Sequence, residues 1–275
     1  MRPPSRIVRS LLLGLPRSAR RGSKPRCHLL THGVREMVAA RLTSLIATWG
    51  EVTATDRWMP AGFDDLAEAE LHKSTAILEA GLCRSLGSWW LPSDRQDART
   101  PNWDIASTAT SRGRRGLMLV EAKAHDNELL NESGGRKLDV RGAADKEERG
   151  ASHATIGTAI DQARVGLCES TGLPWGVSRD SHYQLSNRFA WAWKLAASGV
   201  PVILVYLGFV SAFEMADRGR PFRTAADWES LVLTNSDRIV PRPAWNREWS
   251  IRGTPLIPLI RAVELPLPSP ALGVG

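Results

Sequence analysis

The sequence predicts an α/β domain in which helices cover a mixed sheet, on three observations. Residues 200–210 (VPVILVYLGFV) form a run of β-branched and aromatic residues, the signature of a strand buried on both faces. Residues 102–110 and 117–125 read as two further strands joined by a tight glycine-bearing turn, Ser111 to Gly116, and so as a β-hairpin. Before and after these lie segments with apolar residues at three- and four-residue spacing, the period of amphipathic helices.

In chain order, Val34, Met37, Val38, Leu42 and Leu45 mark a helix over 34–48. A second helix is predicted from Asp64 to Leu82, with Asp64 and Asp65 in an acidic first turn and Gly81 at its end. Ser85–Leu91 reads as a short strand, Pro92–Pro101 as a polar loop, and the hairpin follows. Residues 132–152 are rich in glycine and charge and predict a mobile loop. Helices over 153–169 and 180–198 precede the buried strand. A short helix, Ala225–Leu233, and a proline-rich tail come last. These elements form one domain over 34–265 with a flexible tail, 266–275.

Net charge is +7 over 275 residues, but it is unevenly spread. Residues 1–26 hold eight basic and no acidic side chains, so the rest of the chain carries −1. Residues 1–33 are therefore expected to be a basic, solvated extension, or sequence upstream of a later start at Met37, and the body of the domain is near neutral. The apolar run Leu11–Leu15 is broken by Gly14 and stopped by Pro16, too short for an export signal. No stretch approaches the roughly 20 apolar residues that span a membrane. Three cysteines without C-x-x-C spacing give neither a disulfide framework nor a zinc site, and the expected setting is a reducing cytoplasm. The eleven tryptophans, scattered along the chain, are expected to be packing residues. No phosphate-cradling G-x-x-x-x-G-K-[ST] loop, no G-x-S-x-G elbow and no paired-histidine zinc spacing is present.

The chemistry lies on the hairpin. With the turn centred between Gly113 and Arg114, facing residue numbers sum to about 227, which sets Asp104 opposite Lys123 and Glu121 opposite Ala106. Strand alternation puts Glu121, Lys123 and His125 on one side. Two carboxylates and an ammonium then meet on an otherwise apolar patch. A divalent cation, Mg²⁺ or Mn²⁺, would offset the cost of burying them, since hard oxygen ligands suit those ions. By itself E-x-K reads equally as a Glu–Lys pair on a solvent-facing strand; the aspartate on the partner strand is what favours a site. His125 and His182 are read as structural.

P-N-W-D at 101–104 and L-V-E-A-K at 119–123 resemble the motif of the PD-(D/E)XK nuclease superfamily, with proline three residues before Asp104. The resemblance covers roughly residues 60–210 and implies a restriction-endonuclease-like α-β-β-β-α-β core. It implies that Asp104, Glu121 and the carbonyl of Ala122 bind the metal and that Lys123 orients or activates the attacking water. It also points to a glutamate in E-A-E-L, Glu68 by spacing with Glu70 as second candidate. Q-L-S-N-R is similar to the Q-x-x-x-Y helix of exonuclease-like members. It nominates Gln184 as a catalytic partner of the lysine, with Asn187 and Arg188 at a phosphate and arginine standing where tyrosine would. Arg112, Arg114 and Arg115 at the hairpin tip, with Arg136 and Lys137 in the loop, are the expected backbone contacts. The implied activity is Mg²⁺- or Mn²⁺-dependent hydrolysis of phosphodiesters in DNA, in preference to RNA, and a homodimer is allowed. The alternative is a catalytically silent nuclease-like module that binds nucleic acid or a partner protein.

Overall fold

A computed structural model describes residues 6–91, 100–131, 134–135 and 143–267. In chain order the elements are α1 (Arg6–Leu13), α2 (Ser23–Thr31), α3 (Arg35–Ile46), β1 (Trp58–Met59), β2 (Ala69–Glu70) and α4 (Ala80–Trp90). The hairpin region gives β3 (Asn102–Trp103), β4 (Ile105–Ser111), β5 (Arg114–Lys123) and α5 (Asn127–Leu130). Then come α6 (Ala143–Thr171), α7 (Tyr183–Ala197), β6 (Val202–Val210), α8 (Ala225–Ser236), β7 (Trp249–Ile251) and β8 (Thr254–Glu264).

Six strands form one mixed sheet in the order β1-β4-β5-β6-β8-β7, with β5, β6 and β8 parallel and the outer pairs antiparallel. Helices flank both faces. On one, Leu119, Leu204 and Tyr206 pack with Leu86 of α4, Ile160 of α6, Phe189 of α7 and Trp228 of α8. On the other, Val120, Ala122, Val205 and Leu207 pack with Cys27 and Leu30 of α2 and Leu42 and Ile46 of α3. Alternation along β5 and β6 thus feeds two cores, which is why the 200–210 run carries no polar face. No helix among the described residues is long and apolar enough to cross a membrane.

Several expectations are overturned. Residues 64–78 are not helical. The Asp65 side chain accepts from the Ala67 N–H (3.0 Å), Ser74 bonds back to the Glu70 carbonyl (2.9 Å), and β2 pairs with β3 instead. Short polar side chains that bond local backbone compete with helix formation, and burying Ala69 and Leu71 on the β3 side decides the outcome. The strand expected at 85–91 lies in α4: Trp90 docks edge-on to Trp191 of α7 (5.6 Å between rings), so tertiary packing overrides the β-propensity of the two tryptophans. The loop expected over 132–152 gives way to helix from Ala143, and residues 132–133 and 136–142, with Arg136 and Lys137, lie outside the described residues. So do 92–99 of the polar loop and 268–275 of the tail.

The proline-rich end is an inner strand. The Pro258 carbonyl accepts from Asn246 N–H (2.8 Å) on the side away from β6. A strand residue sends its N–H and C=O to the same edge, so the donor that proline lacks is absent from the β7 side and not from the β6 ladder.

The basic segment, expected to be solvated, is folded over 6–33. The Arg26 guanidinium is fully buried, donating to both oxygens of Glu214 (2.5 and 3.0 Å) and to the carbonyls of Gly22 and Leu265 (2.9 Å each). A chain starting at Met37 would strip Cys27 and Leu30 from the second core and leave Glu214 without its cation.

Candidate active site

The hairpin turn falls on Arg112 and Gly113, both left-handed (φ 51° and 73°), the geometry of a two-residue type I′ connection. Ser111 therefore faces Arg114 and Ile105 faces Val120, so facing numbers sum to two less than a turn centred on Gly113–Arg114 would give. Asp104, at the break between β3 and β4, lies across from Glu121 rather than Lys123. Its Oδ2 accepts the Ala122 N–H (2.8 Å). By backbone alternation the Ala122 carbonyl leaves β5 on the same edge as that N–H, the edge Asp104 occupies.

Glu121 and Lys123 share the α7 face of β5 and are 3% and 6% exposed. Lys123 Nζ donates to Glu121 Oε1 (2.7 Å) and lies 3.4 Å from Gln184 Oε1. Glu121 Oε2 accepts from Arg188 Nε (2.5 Å), and the Arg188 guanidinium stands over the Trp103 ring (4.7 Å). Asn187 Oδ1 in turn accepts from Arg188 (3.3 Å). Asp104, Glu121, Lys123, Gln184, Asn187 and Arg188 are thus brought together. Arg188, expected at a phosphate, is instead 8% exposed and bound to Glu121. A buried carboxylate needs a partner, and the arginine fork on α7 supplies it.

Electrostatics separate the two carboxyls. Burial, then repulsion from Glu121, pushes Asp104 up to about 7, against the pull of Lys123, the Ala122 N–H and Arg188. Burial also opposes ionisation of Glu121, but Arg188 and Lys123 outweigh it and hold that carboxyl at about 2. One carboxylate is therefore fixed as an anion while its neighbour gains and loses a proton near neutral pH. A cation between them would relieve that repulsion. Asp104, the Ala122 carbonyl and the remaining lone pairs of Glu121 are hard oxygen donors that fit Mg²⁺ or Mn²⁺. Among the described residues no group of three or more His, Cys, Asp or Glu side chains is arranged to hold a metal. The fit therefore rests on two carboxylates and backbone oxygen.

Glu68 sits at the rim, not on a helix. It is held by Lys24 Nζ (2.8 Å) and Asn102 Nδ2 (3.2 Å), so reaching a metal would break both contacts. Glu70, in β2, lies 3.8 Å from Lys73. The hairpin-tip arginines lie at the other end of the sheet: seven residues at about 3.3 Å each put Arg114 roughly 23 Å from Glu121. Arg112 pairs with Glu248 (2.9 Å), Arg114 with the Gly253 carbonyl (3.0 Å) and Arg115 with buried Asp56 (2.6 Å). A turn and the opposite end of its strand cannot serve one site, so the expected backbone contacts are not beside the carboxylates.

Helix α2 adjoins the site although its sequence did not suggest so. Cys27 packs with Ala122 and Ala124 on the sheet face behind Glu121 and Lys123; burial raises its thiol well above the ordinary range, and the negative charges of Asp104, Glu68, Glu121 and Glu128 raise it further. The 3–4 spacing of Cys27, Leu30 and Thr31 was the available signal, hidden by the surrounding arginines. Against this geometry, no family model, curated protein or solved structure matches the chain.

Proposed function

We propose that the protein is a metal-dependent nuclease of the PD-(D/E)XK type, hydrolysing phosphodiesters in DNA in preference to RNA. The observation that carries this reading is the convergence of Asp104, Glu121 and Lys123 at one end of adjacent strands, with the two carboxyls driven to opposite protonation behaviour. Asp104, Glu121 and the Ala122 carbonyl would hold Mg²⁺ or Mn²⁺. When bound, the ion supplies Lewis acidity toward the phosphate and toward a water. Lys123, fixed between Glu121 and Gln184, holds its ammonium where an attacking water or a phosphate oxygen would be oriented. Arg188 keeps Glu121 ionised and adds permanent positive charge beside the reacting group.

A second reading has one specific observation in its favour. Both Glu121 oxygens are already held by cations, as expected of a module that keeps the architecture without the metal. Incubation of the purified chain with plasmid and oligonucleotides in Mg²⁺ or Mn²⁺ separates the two. Cleavage abolished by EDTA and by Lys123→Ala supports the nuclease. No cleavage of any substrate, together with no Mn²⁺ binding by calorimetry, moves the assignment to the silent module.

A further inference from the structure

An open cleft of about 830 Å³, which begins at His125 two residues beyond Lys123, is walled by the segment that leads into α2 on one side and by the continuation of β5 on the other. Arg17, Arg21, Lys24 and Arg218 line it, against two carboxylates, Glu128 and Asp217. Arg21 is held by Asp217 (2.8 Å) and Lys24 by Glu68 (2.8 Å). Arg218 is 69% exposed and only 3.9 Å from Asp217, and Arg17 has no carboxylate partner among the described residues. The amino end of α2 opens on the same space through Ser23 and Lys24, adding the partial positive charge of a helix start.

His125 also lines the cleft and is 7% exposed; its Nδ1 is packed against Gly219, away from the open space, and its Nε2 lies 3.8 Å from Glu128. Its position two residues beyond Lys123 corresponds to roughly 7 Å of backbone, or about two nucleotide steps at 3.4 Å each.

We propose that this cleft binds a backbone phosphate of the nucleic-acid strand flanking the bond that is hydrolysed, making residues 17–24 part of the substrate site. The proposal rests on the nuclease reading for its location and deepens it. Three of the four cations that line the cleft, Arg17, Arg21 and Lys24, come from the basic N-terminal segment, and Arg218 is added by the near-neutral body. An exposed surface charge of the same sign elsewhere would not substitute for them.

The test uses the full chain, a fluorescein-labelled 20-nucleotide single-stranded DNA and EDTA, so that binding is read without cleavage. In Arg17→Glu/Arg218→Glu, with the thermal midpoint checked against wild type, the Kd at 0.1 M salt rises at least tenfold. The slope of log Kd against log salt falls by about 0.7, the value for one single-strand phosphate no longer neutralised. Arg114→Glu, at the far end of the sheet, shifts the Kd less than twofold. Unchanged affinity in the double variant, or an equal drop in Arg114→Glu, overturns the cleft. Wild type that binds with this pattern but cuts nothing in Mg²⁺ or Mn²⁺ overturns the nuclease reading and leaves the cleft standing. Wild type that cuts while the double variant binds as well does the reverse, and failure to bind at all overturns both.

Discussion

Replacing Asp104 with asparagine isolates the electrostatic tension between the two carboxyls. In the folded chain Asp104 ionises at about 7, against an ordinary value of 3.8. A raised carboxyl favours the fold fully below pH 3.8, and that contribution fades as pH climbs to 7. Asparagine keeps an oxygen for the Ala122 N–H and never ionises. For a full shift the advantage of the variant would be about 1.7 kcal/mol at pH 5 and about 4 kcal/mol at pH 8, at 1.36 kcal/mol per pKa unit. Asp104 is half-buried, and water screens part of this; halving leaves roughly 1 and roughly 2 kcal/mol. At about 2–4 °C per kcal/mol for a chain of this size, thermal unfolding in EDTA at pH 8 should show Asp104→Asn about 4–8 °C above wild type. The gap should be about half as large at pH 5. Adding Mg²⁺ or Mn²⁺ should raise the wild-type midpoint by mass action and leave the variant nearly still. A variant less stable than wild type at pH 8, a gap that does not grow with pH, or equal metal-induced shifts would refute the reasoning.

Arg188→Met leaves Glu121 buried with one cation fewer and should lose about 3 kcal/mol in urea unfolding. Arg188→Lys should recover only part, since an ammonium cannot reproduce the flat stack over Trp103; full recovery would count against that contact. Arg26→Ala should lower stability by about 3–5 kcal/mol, because Glu214 would remain half-buried without its partner. Arg26 holds the Glu214 carboxyl below its ordinary value against burial. That contribution is present above about pH 4.5 and fades on acidification, so the variant's deficit should shrink in acid. A deficit constant with pH would exclude the ion pair as its source. Gly208→Ala would bring a Cβ within 2.4 Å of the Trp228 ring and should cost about 1–3 kcal/mol by overpacking, measured by chemical denaturation. A neutral result would mean that α8 yields more easily than its packing implies.

The carboxylate-bearing end of the hairpin was readable because strand alternation is a rigid rule: Glu121 and Lys123 fall on one face for any register. The register itself was not readable to a residue, since Arg112 at positive φ is an unusual turn former and Gly113–Arg114 looked the better centre. The buried strand 202–210 announced itself by its unbroken β-branched and aromatic composition, and helix α3 by its three- and four-residue apolar spacing. Residues 64–91 misled because the Asp65 and Ser74 side chains satisfy backbone locally and because Trp89 and Trp90 follow an aromatic cluster and not their own propensity. The folded N-terminal segment was hard to read because the short spacing of Cys27, Leu30 and Thr31 is masked by arginines, one of which is buried against a glutamate 188 residues away, a contact that no local period encodes.

The position of β8 has a consequence for how the chain matures. This strand, Thr254–Glu264, inserts between β6 and β7, so the β6 edge has no cover until those residues are available. During synthesis the most apolar stretch of the molecule would wait with its ladder open after everything before it has been made, an invitation to pairing between nascent chains. Release of residue 264 from the ribosome, more than completion of the hairpin that carries the carboxylates, would then be the event that closes the domain.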